Sequence, residues 1–162
     1  MKPLLMKTRK ILLLLQAKLI FLPCLATRLM VGYGFYATGK GKLNNLERVA
    51  NWFDSMGIPF PEAQAWFVGH LEYYGGILLV LGLFTRPIAV LLASTMVVAL
   101  ATADREGFLA SWTQAGEQLP VEITAFTYLV FLGWLIYFGS GQLGLDTIFG
   151  FFLKDDEDSE EE

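Results

Sequence analysis

The stretch AQAWFVGHLEYYGGILLVLGLFTRPIAVLLASTMVVALATA, residues 63 to 103, decides how this chain is read. It holds two long apolar runs, Ala63 to Phe84 and Pro87 to Ala103, joined through a turn at Thr85, Arg86 and Pro87. About 20 apolar residues are needed to cross the hydrocarbon core of a bilayer as a helix, so each run is close to a span. So short a turn makes the two helices antiparallel neighbours, and Pro87 suits the first turn of the second, where its missing N–H has no partner to lose. One formal charge, Glu72, lies inside the first run, and none lies inside the second.

Working outward, two further apolar segments fit the same pattern, Leu19 to Ala37, with Pro23 as a kink point, and Ile123 to Phe138, closed by Gly139, Ser140 and Gly141. The fold class expected is all-α: an integral membrane four-helix bundle with spans at about 19–37, 63–84, 87–103 and 123–138. With 162 residues, 54% hydrophobic and 17% charged, the four spans nearly fill the chain and leave no room for a large appended enzymatic domain. Residues 1–153 read as one transmembrane domain, and 154–162 as a disordered acidic tail whose seven acids outweigh the entire net charge of −4.

Lys2, Lys7, Arg9, Lys10 and Lys18 make the N-terminus basic, and the apolar run after them is interrupted by Gln16 and Lys18 without a small-residue cleavage pattern. This reads as an uncleaved signal-anchor with a basic amphipathic lead-in. With the N-terminus inside, seven Lys and Arg face the cytoplasm against four outside, which places both termini in the cytoplasm. No basic patch points to nucleic acid.

The first outer loop contains Leu46, Val49, Trp52, Phe53 and Met56 at helical spacing, with Asn44 and Glu47 as a capping box, Gly57 as the stop and Pro59 and Pro61 beyond. A short amphipathic helix is expected there. The second outer loop, Asp104 to Pro120, carries Trp112 as an interfacial anchor and is assigned no chemistry. Small residues mark helix contacts: Ala89, Ala93 and Ala101 on the third span, Gly69, Gly75, Gly76 and Gly82 on the second, and Arg28, Gly32, Phe35 and Gly39 on one face of the first.

Arg28 and Glu72 are the deep ionisable residues. Counted inward from Lys40 and Pro61, both lie roughly 17 Å from the outer boundary at about 1.5 Å per residue. A midplane charge is costly unless paired or wetted. An Arg28–Glu72 ion pair is therefore expected, either as a latch that fixes helix pairing or as a polar centre that binds a headgroup or moves a proton. His70, the only histidine, is joined at similar depth by Tyr73, Tyr74 and Tyr128. These are candidate ligand-binding residues: His70 is able to donate to a quinone carbonyl, or to make an ordinary interhelical hydrogen bond. A single histidine and a single cysteine, Cys24, do not make a bis-His haem, a metal cluster or a dithiol on this chain. No metal site and no cofactor is identified from the residues themselves, and no residue is assigned as catalytic.

The ordered set Arg28, Gly32, Phe35, Gly39, Lys42-Leu43, Gly57-Ile58-Pro59, Glu72, Gly75-Gly76, Leu79, Leu81-Gly82-Leu83, Thr85-Arg86, Met96 and Ala99 resembles the DoxX/DoxD-like membrane protein family. The likeness continues to Gly139-Ser140-Gly141 and Leu145-Asp146, similar to that family's closing GPG and SLD signature, with Ser140 where proline is usual and Gly144 where serine is usual. The resemblance implies a bacterial-type inner-membrane protein, in some members linked to a thiosulfate:quinone oxidoreductase or quinol oxidase assembly and in others to oxidative-stress complexes. It adds Lys42 and Asp146 to Arg28 and Glu72 as matching polar positions. Two functions follow as expectations: a membrane subunit of a quinone-linked redox or stress-response complex, with electrons supplied by a protein partner, or a non-enzymatic scaffold or assembly factor. The partners implied are the lipid bilayer and another protein or a second copy of the chain.

Overall fold

The computed structural model describes residues 21–113, 119–141 and 144–147. The basic lead-in, the first two residues of the expected first span and the acidic tail lie outside the described residues. What is described is all-helical, without a strand. The helices are α1 (Phe21–Leu43), α2 (Leu46–Ser55), α3 (Pro61–Leu81), α4 (Thr85–Ala101), α5 (Arg105–Trp112) and α6 (Thr124–Phe138), with a 3-10 turn at Pro120–Glu122 before α6.

The largest contact is between α1 and α3, and the next is between α4 and α6; contacts of α3 with α4 and of α1 with α6 join the two pairs. Two glycines set the approach of α1 to α3. A Cβ on Gly76 would fall 2.6 Å from the Gly32 carbonyl oxygen, and one on Gly39 would fall 2.7 Å from the Tyr73 Cα. Backbone touches backbone at both points, which is what small residues permit in an interface that has no hydrophobic drive of its own. The main core gathers Val31, Phe35, Leu79, Ala89, Leu92, Leu132 and Leu135. A second cluster, Val49, Ala50, Phe53 and Ala65, seats the amphipathic face of α2 on the start of α3.

Several helix ends differ from those expected. Helix α1 runs on to Leu43, six residues past Ala37, because Gly39 and Gly41 lie inside the helix and pack or face open space. Helix α2 starts after Asn45, whose side-chain amide donates to the Gly41 carbonyl at 3.3 Å, so the Asn44 capping box is not made. Gly57 does end that element, at φ +73. Within the segment expected to be the second outer loop, Asp104 to Pro120 with Trp112 as an interfacial anchor, Arg105–Trp112 is helical and has no buried residue.

No single described helix is long and apolar enough to cross a membrane by itself; α4 and α5 satisfy that measure together but are bent by 79°. Helices α1 and α3, at 23 and 21 residues, reach about 30 Å. Arg28, Lys40 and Lys42 in α1, and Glu62 and Glu72 in α3, lower their hydropathy.

Candidate functional site

Two polar centres lie toward opposite ends of the α1–α3 contact. At the first, the chain after α6 folds back over the α3–α4 turn. Asp146 accepts from the backbone N–H of Phe84 at 2.6 Å through one carboxylate oxygen and from that of Thr85 at 2.9 Å through the other, while its own N–H donates to the Gly82 carbonyl at 2.9 Å. A carboxylate at a helix N-terminus satisfies N–H groups that the helix cannot and complements its dipole. It also holds Phe84 in the left-handed region, φ 51, where a bulky side chain is strained. Arg28, 3% exposed, donates to the Ser140 carbonyl at 2.7 Å, and Cys24 Sγ lies 3.3 Å from the Gly139 carbonyl. Arg28 and Asp146 thus bind the closing segment to α1 and α4. An open cavity of about 530 Å³ flanks this turn, bordered by Phe84, Arg86, Phe138 and Thr147.

The second centre is built on Glu72. It lies just past the middle of α3, is 1% exposed, and accepts from the Lys42 ammonium at 2.5 Å through Oε1. Gly39, one turn before Lys42, brings α1 near enough for so long a side chain to reach the carboxylate. Glu72 Oε2 has no hydrogen-bond partner among the described residues. Lys42 and Glu72 border a cavity of about 200 Å³ whose walls are otherwise mostly apolar: Trp52, Phe53, Met56 and Ile58 from the α2 segment, Phe67 and Val68 from α3, and Met96 and Ala99 from α4. Ser94, Thr95 and Thr102 add hydroxyls to the α4 wall, each already donating within its own helix.

The expected Arg28–Glu72 pair is therefore not what the structure builds. In the observed antiparallel register Gly39 faces Glu72 and Tyr73, Gly32 faces Gly76, and the Arg28 guanidinium faces Gly82. Arg28 and Glu72 are displaced from each other by about ten residues, or about 15 Å of helix axis. The expectation took Lys40 and Pro61 as level boundaries, whereas the first turns of α3 rise beside α2 beyond the end of α1. Glu72 takes Lys42 instead. The signal for this was available: the stripe Arg28, Gly32, Phe35, Gly39 continues by one step of three to Lys42.

The candidate ligand residues are not gathered into one site. His70 Nδ1 lies 2.8 Å from the Trp66 carbonyl in its own helix, and its ring stacks between Trp66 at 4.2 Å and Tyr74 at 6.1 Å. Tyr73 packs on Tyr36 at 5.2 Å, and Tyr128 sits across the molecule on α6, against Phe35 at 5.2 Å with its hydroxyl filling the space left by Gly34. None of the four borders the cavity beside Glu72. Among the described residues no group of three or more His, Cys, Asp and Glu is placed to hold a metal ion.

Among the described residues the fold is all-helical, with Arg28 and Glu72 buried and many bulky apolar side chains exposed. The family model named DoxX matches residues 24–105, half of the chain, and the chain belongs to the DoxX family. A curated relative, "Putative oxidoreductase CatD" from Bacillus subtilis (strain 168), is 33% identical over 78 residues, which is 48% of this chain and 57% of that protein. The chain thus matches little more than half the length of that relative. No solved structure matches. The DoxX family is membrane-associated, and the matched segment contains both Lys42 and Glu72 but ends before Asp146.

Proposed function

We propose that this protein is a multi-pass inner-membrane component of a quinone-linked redox or oxidative-stress-response complex, working through the cavity beside Lys42 and Glu72. The observation that carries this reading is the inversion of polarity. Arg28 and Glu72 are 3% and 1% exposed, while Met30, Tyr33, Trp66, Phe67, Tyr74 and Trp134 lie open on the outer surface. Water would be a poor solvent for that surface, and a bilayer a good one. Inside a bilayer a paired, buried carboxylate is a functional site by default.

The residues around the cavity suit a quinone headgroup. Aromatic and methionine side chains make flat, adaptable walls. The Lys42 ammonium has donors left after its bond to Glu72, and these reach toward a carbonyl oxygen; Glu72 Oε2 accepts from a hydroxyl. A bound quinone would supply two-electron chemistry coupled to protons, and the chain itself would orient the ring and hold a proton acceptor at Glu72. The oxidoreductase name of the Bacillus relative agrees with this reading. The Lys and Arg count supports a topology with both termini on the cytoplasmic side.

Purification from native membranes followed by mass spectrometry tests the proposal. Co-purifying quinone together with a redox partner supports it; a chain that washes off membranes at high pH, or that carries neither quinone nor partner, overturns it. The scaffold reading has its own support at the other end of the molecule, where Arg28 and Asp146 are engaged in holding the closing turn. It gains if a partner co-purifies while Glu72→Gln leaves both assembly and function intact.

A further inference from the structure

The geometry points to a ligand of defined chemistry for the cavity beside Glu72: a single-ring compound bearing a phenol-type hydroxyl, which donates its hydrogen bond to Glu72 Oε2. The inference rests on reading this cavity as the ligand site of the proposed function, but not on the ligand's being redox-active. Three observations carry it. Glu72 Oε2 is buried and without a partner among the described residues, although Oε1 of the same carboxylate is bonded to Lys42. A buried acceptor left unmade costs about 1–3 kcal/mol, and more when it carries charge, so the site favours any ligand that brings a donor. Of the other polar residues that border the cavity, Ser94, Thr95 and Thr102 donate their hydroxyls to the carbonyls of Leu91, Leu92 and Val98, and Gln64 makes no hydrogen bond to Oε2.

Size and lining narrow the class. The cavity measures about 200 Å³, and an apolar cavity of about 150 Å³ in another protein admits benzene. A cavity of this volume accommodates one substituted ring. Trp52, Phe53, Phe67, Met56 and Met96 offer faces and sulfur atoms to an aromatic ring and few donors to a second polar group. The Lys42 side chain is 24% exposed, so its remaining donors can be met by solvent or by a ligand acceptor, whereas Glu72, 1% exposed, depends on a donor brought to Oε2. The unmet demand is therefore for a donor, which a hydroquinone has and the corresponding quinone lacks. A site of this kind holds the reduced form more tightly than the oxidised one, and each tenfold preference raises the potential of the bound two-electron couple by about 30 mV.

Calorimetric titration of the detergent-solubilised full chain with 4-ethylphenol and with its O-methyl ether, 4-ethylanisole, corrected against empty micelles, tests this directly. The two probes match in shape and differ in the hydroxyl proton. At least tenfold tighter binding of the phenol is expected. Affinities within twofold of each other, or no binding of the phenol, overturn the inference. In Glu72→Gln the amide oxygen keeps the Lys42 bond and the NH2 group takes the place of Oε2, a donor where there was an acceptor, so the preference for the phenol is expected to vanish or invert. A Glu72→Gln protein that keeps the full preference also overturns it. If that variant does not fold, the wild-type comparison alone decides. Selective phenol binding by a protein that carries no quinone and no redox partner leaves this inference standing while the redox function falls.

Discussion

The closing turn around Asp146 and the cavity around Glu72 each contain a buried or half-buried carboxylate and a cation supplied by α1, yet the protein uses them differently. Asp146 gives both oxygens to backbone N–H groups of the α3–α4 turn, and the Arg28 beside it holds the Ser140 carbonyl. Glu72 gives one oxygen to Lys42, and the other is buried without a partner among the described residues, in a side chain that borders a cavity. A carboxylate spent on backbone is architecture. One that is half used, dry and walled by aromatic rings is poised for something that is not part of the chain. The two regions can be separated by substitutions whose effects on stability and on binding diverge.

The largest effect is expected at the contact that serves both. Gly39→Val places a side chain against the Tyr73 backbone, where even a Cβ would sit 2.7 Å from Cα. Overpacking of this kind costs about 3 kcal/mol or more when backbone cannot yield. The expected outcome is loss of the folded, monodisperse protein in detergent, read by size-exclusion chromatography and thermal unfolding. A Gly39→Val protein with wild-type melting would show that α1 and α3 do not approach as described.

Lys42→Ala comes next. It leaves the Glu72 carboxylate buried without its counter-ion, a change worth about 3–5 kcal/mol for a fully buried pair. With Lys42 24% exposed, the lower end applies. Lys42→Leu combined with Glu72→Leu is expected to regain most of that stability and to abolish phenol binding, which separates the pair's structural cost from its use. If Lys42→Ala melts like wild type, Glu72 is not held as the structure has it.

The glycine stripes on α1 and α3, the amphipathic face of α2 and a tight turn between α3 and α4 were legible in the sequence because each depends on local spacing, although the turn falls at Gly82, Leu83 and Phe84, and Thr85, Arg86 and Pro87, expected to form it, already belong to α4. The partner of Glu72 was not. It depends on the axial register of two helices, which is set by where glycine lets backbone meet backbone, Gly39 on Tyr73 and Gly76 on Gly32, and not by the loop boundaries from which depth was counted. The cavity was equally hidden, since its walls come from α1, α2, α3 and α4 and exist only once α2 has folded onto Ala65 and Val68. Asp146 was visible as a matching position through the family resemblance, but its task, two N–H groups sixty residues away in sequence, belongs to tertiary structure alone.

Asp146→Ala removes both bonds to the α4 N-terminus and should cost about 1–2 kcal/mol, the range of a lost N-terminal cap. Asp146→Asn, which keeps one oxygen acceptor, is expected to recover part of it. Neither should change the preference for phenol over ether at the other centre. Asp146→Ala that abolishes the preference while the protein stays folded would mean that the two centres are coupled through α4, and the contrast between them would then fail.

The smallest effect isolates the lid side of the cavity. Gly57 ends the α2 segment at φ +73, with nothing within 4 Å of where a Cβ would stand, so Gly57→Ala meets a backbone penalty and no clash. That penalty is about 1 kcal/mol, carried by the small Val49–Phe53–Ala65 cluster and not by the main core. Global melting should shift little, whereas hydrogen exchange over residues 46–58 should quicken several-fold, because local opening draws on the stability of its own cluster. Since Trp52, Phe53, Met56 and Ile58 wall the cavity from this segment, phenol affinity should weaken by a few-fold with the preference over the ether unchanged. That combination is diagnostic: affinity follows the walls that α2 supplies, and selectivity follows the oxygen of Glu72.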